Sequence, residues 1–175
     1  EVWVTNKRGN YDEARNIVAL ADLGEHDPAH VLNSAWTTAA GVRTPYNKAN
    51  SLYRTLVEDN PAVRDIQQIS SVMQSLPNME LGEDYEKVES ARLLNNGEYT
   101  LNAALGYISL KTSLNQDEVL AVAYEYTYAG QVYQVGEFST DAGESLKAPN
   151  ALLLKLLKSS NNAPSMKGKG TWDLM

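Results

Sequence analysis

A cysteine-free chain of 175 residues with 43% hydrophobic content has the size of one domain, and a domain of this size buries roughly 70% of its unfolded surface. Its net charge of −7 argues against the basic face that non-specific binding to nucleic acid or anionic lipid requires. The missing cysteines exclude a disulfide scaffold, a Cys-ligated zinc site and a thiol nucleophile, and no apolar run approaches the roughly 20 residues of a membrane helix.

In chain order, Val2–Thr5 reads as a first strand, ended by the turn residues Asn6 to Asn10. The apolar run Ile17–Leu23 begins with β-branched residues and is followed by Gly24, which favours a buried strand over a short helix. A long connection over Glu25–Tyr46 follows, with some helical character around Ala29–Ala40. A short helix is expected over Ser51–Glu58, and a better one between Pro61 and Leu76. Pro61 suits a first helical position, Asn60 suits a cap, and Val63, Ile66, Ile69, Met73 and Leu76 form one apolar stripe. That stripe reads as core packing against a sheet. Glu80 to Glu89 is acidic, Leu93–Gly97 marks a bend, and Tyr99–Leu101 and Tyr107–Leu110 read as strands. Ser139–Asn150 reads as a surface loop. Leu152, Leu153, Leu156 and Leu157 fit a helix face, although the preceding strands favour a further strand over Ala151–Lys158.

The clearest local signal is Val119–Phe138, two β-branched and aromatic runs around Ala129-Gly130. Val122, Tyr124, Tyr126 and Tyr128 alternate with Ala121, Ala123, Glu125 and Thr127, the period of a pleated strand. Glycine at the turn permits positive φ, so a β-hairpin is expected. The chain carries ten tyrosines against one phenylalanine, and tyrosine suits half-wet sheet faces and binding surfaces. Tyr124, Tyr126, Tyr128 and Tyr133 are therefore the candidate interaction surface. The competing reading packs these rings under the helix.

Few residues suggest chemistry. Asp22, Glu25, His26, Asp27 and His30 resemble a metal site, but Pro28 interrupts the histidine pair and a polar surface loop explains them more simply. Glu80, Glu83, Asp84 and Glu86 could attract Ca²⁺ yet follow no EF-hand spacing. The nucleophile elbow is absent, and Gly168-Lys169-Gly170-Thr171 lacks the earlier glycine and strand of a phosphate loop. No catalytic, metal or cofactor-binding residue is assigned, and no cofactor is expected. Exposed aromatics, with Trp3, Trp36 and Trp172, leave open a carbohydrate-binding β-sandwich of a cell-surface protein.

The segment YEYTY-x-G-x-VYQVGEFSTD (Tyr124–Asp141) resembles SprA (Sov) proteins, the very large outer-membrane proteins of the Bacteroidetes type IX secretion system, linked to gliding motility. Further matching strings are EVWVTNKRG (Glu1–Gly9), RNIVALADLGE (Arg15–Glu25) and DYEKVESARLL (Asp84–Leu94). EYTLNAALGYISLK (Glu98–Lys111), LLLKLLKS (Leu152–Ser159) and TWDLM (Thr171–Met175) complete them. None is a catalytic motif; their specificity lies in length and order. The resemblance also favours strand at Ala151–Lys158, the reading adopted.

The expected fold is α+β, a mainly antiparallel sheet or sandwich with strands over about 2–23 and 99–158 and a helical insertion over about 50–76 on one face. Residues 1–175 are expected to be one soluble domain excised from a much longer chain. The resemblance implies a non-enzymatic module of a translocon in the cell envelope that packs or docks other components. Its partners would be other parts of the parent outer-membrane protein and secretion-system components, not nucleic acid. The segment itself would not span the membrane.

Overall fold

Strands that must bury both faces carry near-continuous apolar runs, and two such runs, RNIVAL and LLLKLLK, lie side by side at the centre of this fold. The computed structural model describes residues 1–9, 11–25, 44–141 and 143–161. Its strands are β1 (Val2–Val4), β2 (Arg15–Leu20), β3 (Tyr85–Leu93), β4 (Tyr99–Asn102), β5 (Tyr107–Leu110), β6 (Leu120–Val122), β7 (Tyr124–Tyr128), β8 (Gln131–Val135) and β9 (Leu152–Lys158). β1, β3, β2, β9 and β6 close into a barrel in that order, while β4–β5 and β7–β8 are two-stranded hairpins. Every barrel pairing is antiparallel except β2 with β9. The fold is thus α+β with a mostly antiparallel sheet, closed rather than open.

Inside the barrel, one large ring is surrounded by small and branched residues. Trp3 packs with Ile17, Ala19, Ala91, Ala121 and Leu154. A narrow barrel has little interior volume, so alanines leave room for the indole. The Trp3 Nε1–H donates to the Glu1 carboxylate at 3.0 Å, which satisfies the ring's polar atom. Outward residues of the same strands are also covered. Val18, Leu20 and Leu153 pack under the helical insertion, and Val2, Val4, Leu120 and Val122 pack under the β4–β5 hairpin through Tyr99, Ile108 and Leu110.

The insertion comprises α1 (Leu52–Arg54), a π-helical turn over Thr55–Asp59, a 3-10 turn over Pro61–Arg64 and α2 (Ile69–Ser75). The stripe Val63, Ile69 and Met73 is fully buried against the barrel, as its spacing predicts. The helix expected over Pro61–Leu76 is nevertheless broken at Asp65, whose backbone is extended (φ −85°, ψ 113°). Its carboxylate accepts from the Gln67 N–H at 2.9 Å and from Gln68 Nε2 at 2.6 Å. Such a local bond competes with helix continuation, and periodicity cannot register it. Asn60 does not cap the next helix either; its amide donates to the Thr55 carbonyl at 3.1 Å and closes the preceding turn.

The longest strand, β3, lies in the stretch read as acidic and then bent. A bulge obscures its alternation: Arg15 faces Ala91 and Ile17 faces Val88, leaving an extra residue on β3. Ser90 there has φ 51°, and its N–H donates to Asn16 Oδ1 at 3.1 Å. The expected strands at Val2, Ile17, Tyr99, Tyr107 and Ala151 are present. The helix considered around Ala29–Ala40 lies outside the described residues.

The run through Val119–Tyr128 is not one strand. β6 belongs to the barrel and β7 to the hairpin, with the break at Ala123, whose N–H turns to the Glu1 carbonyl at 3.1 Å. Gly136 passes directly over this break. A Cβ on Gly136 would lie 2.9 Å from both Ala123 Cα and Val122 O, and its φ is +80°. Gly130, in the hairpin turn, also has positive φ (+78°) but meets nothing within 4 Å. Gly136→Ala should therefore cost about 3 kcal/mol or more in urea unfolding. Gly130→Ala should cost only about 1–2 kcal/mol.

Candidate functional site

The tyrosine hairpin is a surface feature. β7 and β8 pair antiparallel, Tyr124 with Val135, Tyr126 with Tyr133 and Tyr128 with Gln131, around the two-residue turn Ala129-Gly130. Both turn residues have positive φ, as a type I′ turn requires. Tyr126 and Tyr133 stack at 5.4 Å, Tyr46 meets Tyr133 edge-on at 5.7 Å, and Tyr124 lies 6.3 Å from Tyr126. The Tyr126 hydroxyl donates to the Pro45 carbonyl at 2.5 Å.

These rings are not packed under the helix: none belongs to the apolar cluster that the insertion forms with the barrel. Tyr124 is 40% exposed and Tyr128 63%, whereas Tyr126 and Tyr133 are half-buried by each other and by Tyr46. Partial burial, with smaller contributions from Glu25 and Tyr126, pushes the Tyr124 phenol up to about 12. It stays a neutral donor across physiological pH. Of the tryptophans, Trp3 is buried in the barrel, and Trp36 and Trp172 lie outside the described residues.

The carboxylates singled out in the sequence do not converge. Asp22 accepts from the Gly24 N–H at 2.9 Å and from Asn50 Nδ2 at 2.8 Å. Glu25 accepts from the Leu23 N–H at 2.6 Å and pairs with Lys155. His26, Asp27 and His30 lie outside the described residues. Asp84 accepts from the Glu80 N–H at 2.8 Å, while Glu86 faces elsewhere and accepts from Ser160. Among the described residues no group of three or more His, Asp or Glu could hold a metal ion, and no helix is long and apolar enough to cross a membrane. The phosphate-loop-like string also falls outside them.

A cavity of about 230 Å³ opens beside the β4–β5 hairpin, lined by Arg8, Arg92, Glu98, Thr112 and Ser113 among others. Its charges are matched: Arg92 pairs with Glu98 at 2.7 Å, and Arg8 reaches the same carboxylate at 3.3 Å. The Arg92 hydrogen bonds, and then the Asn95 N–H, hold the Glu98 carboxyl below the usual glutamate range.

Sequence reasoning missed a deeply buried polar network. Glu137 accepts two bonds from the Arg64 guanidinium (2.5 and 2.6 Å), one from the Tyr53 hydroxyl (2.7 Å) and one from the Leu153 N–H (2.8 Å). Arg64 also donates to the Ala151 carbonyl at 3.1 Å. Burial, followed by Glu137, drives the Tyr53 phenol far above its ordinary value. No spacing rule links residues 53, 64 and 137, so no local signal could have found the network. Its geometry is that of a structural clamp without a nucleophile.

No family model matches the chain, and no curated protein matches it.

Two outcomes follow from these ion pairs. Arg64→Met should cost about 3–5 kcal/mol, because it leaves Glu137 charged and buried. Adding Glu137→Leu should recover part of that loss, giving a coupling of roughly 1 kcal/mol or more in a double-mutant cycle of urea unfolding. Glu98 behaves differently. Its folded pKa is depressed, so its stabilisation is present above the unfolded value of 4.5 and fades as pH falls through the lower folded value. Acid unfolding of Glu98→Gln should therefore show a shallower loss of stability below that value than the parent chain.

Proposed function

We propose that this chain is a non-catalytic module of a SprA-like outer-membrane translocon serving type IX protein secretion and gliding motility. In this reading it supplies packing and a docking surface for other parts of the parent protein or for secretion-system components. The observation that carries the reading is where the resembling strings fall. EVWVTNKRG contains β1, RNIVALADLGE contains β2, DYEKVESARLL contains β3, EYTLNAALGYISLK spans β4–β5, and LLLKLLKS lies in β9 and the residues after it. The tyrosine string spans β7–β8. Each of these strings takes in one or two strands together with the turn residues beside them, and only β6 among the described strands falls in none, a distribution that supports a shared fold.

A second reading, a carbohydrate-binding module of a cell-surface protein, is favoured by the exposure of Tyr124 and Tyr128, since sugars stack on accessible aromatic faces. The two readings separate experimentally. Replacing the segment by a short Gly/Ser linker in a SprA-like parent should abolish cargo secretion and gliding while the parent still reaches the outer membrane. Unchanged secretion and gliding would contradict the first reading. Micromolar binding on a glycan panel, lost in Tyr124→Ala with Tyr128→Ala, would establish the second.

A further inference from the structure

The β7–β8 hairpin has two edges, and the fold occupies one of them. On the β8 side, the Asn47 N–H donates to the Gln134 carbonyl at 3.0 Å. The Asn47 side chain then bridges Gly136, donating to its carbonyl at 3.2 Å and accepting from its N–H at 2.8 Å. Pro45–Asn47 thereby acts as a short added strand. Its aromatic residue, Tyr46, lies against Tyr133 on the tyrosine face.

Among the described residues the β7 side has no such cover. A two-residue turn makes Tyr128–Gln131, Tyr126–Tyr133 and Tyr124–Val135 the pairs that exchange hydrogen bonds. Glu125 and Thr127 therefore aim their N–H and C=O groups away from β8. The Asn47 bond to Gln134, the partner of Glu125, fits this alternation on the other strand. Among the described residues no backbone group bonds to the outer edge of β7. Strand edges are commonly guarded by lysine, proline or a bulge, and YEYTY has none of these.

We propose that the β7 edge is a β-augmentation site for an extended segment of a partner protein that carries lysine or arginine alternating with aromatic or branched apolar residues. The alternation follows from the two faces of β7. Tyr124, Tyr126 and Tyr128 would meet apolar or aromatic side chains, as Tyr133 meets Tyr46 on the far edge. Glu125 and Thr127, both exposed, would meet the basic ones. A chain of net charge −7 disfavours a second copy of itself as the added strand and favours a cationic one. This names the docking surface of the module proposed above and rests on that reading only for the existence of a partner.

The test uses the full chain and a blocked peptide of about nine residues alternating Lys with Tyr and Val, a length within the usual strand range. Binding is followed by amide chemical shifts of β7 and by titration calorimetry. The Lys peptide should bind, shift Glu125 and Thr127 amides, and weaken as salt is raised, while a matching Glu peptide should bind at least about tenfold more weakly. N-methylation of alternate residues on one peptide edge should abolish binding, and on the other edge should leave it intact. Thr127→Pro removes an outward N–H without breaking the ladder to β8 and should also abolish binding. Glu125→Lys should reverse the preference between the two peptides. Equal binding by both N-methylated forms, or no binding by the Lys peptide, would overturn the proposal. So would a concentration-dependent dimer that Thr127→Pro dissolves, since the occupant would then be a second copy. If the peptide fails while the linker replacement still blocks secretion, the edge assignment is wrong and the module reading stands.

Discussion

The Arg64–Glu137 pair fixes how three parts of the chain meet. Arg64 ends the 3-10 turn of the insertion, Glu137 follows the tyrosine hairpin, and Leu153 lies in the barrel strand between them. A carboxylate transferred from water to such a place costs several kcal/mol unless its lone pairs are filled. Here four donors surround it, two from one planar guanidinium. The fork geometry fixes direction as well as distance, so the insertion can seat on β2 and β9 in one way. Apolar packing under the helices supplies contact area but no comparable register.

From that clamp the remaining architecture follows. With the insertion over the β2–β9 face and the β4–β5 hairpin over the β1–β6 face, strands β1, β2, β6 and β9 carry buried apolar residues on both sides. The second hairpin is left outside both layers. Glu137, bonded to Leu153 through its side chain and backbone, anchors the end of that hairpin on the barrel. Its tyrosines then project from an anchored base, and among the described residues the outer edge of β7 is unpaired. A rigid strand loses little entropy on pairing, which suits it to receive an extended partner.

How much of this could be read in the sequence depended on the range of the interaction. Strands built from β-branched and aromatic residues between turn residues (Val2–Val4, Tyr99–Asn102, Tyr107–Leu110 and the tyrosine hairpin) were legible because residue type and adjacent turns are local signals. The leucine run at Leu152–Lys158 fits helix and strand alike by composition, and the barrel decides for strand because Leu152 and Leu154 fill its interior while Leu153 meets the helices. β3 stayed hidden because a bulge at Ser90 shifts its phase and its exposed face is charged. The break at Asp65 depends on side-chain bonds two and three residues ahead, below the resolution of an apolar stripe. Barrel closure depends on a parallel pairing of residues as distant in sequence as Ile17 and Leu152, and nothing local encodes it.

Hydrogen exchange under native conditions addresses the clamp most directly. The Leu153 amide donates to the Glu137 carboxylate and the Ala151 amide to the Arg64 carbonyl at 2.8 Å. If the ion pair locks the insertion to the barrel, both amides should exchange only through global unfolding, with the same free energy as Val18 and Ala19 in β2. Exchange of Leu153 and Ala151 through a low-energy local opening, with β2 still protected, would show that the insertion detaches freely and that the pair secures nothing.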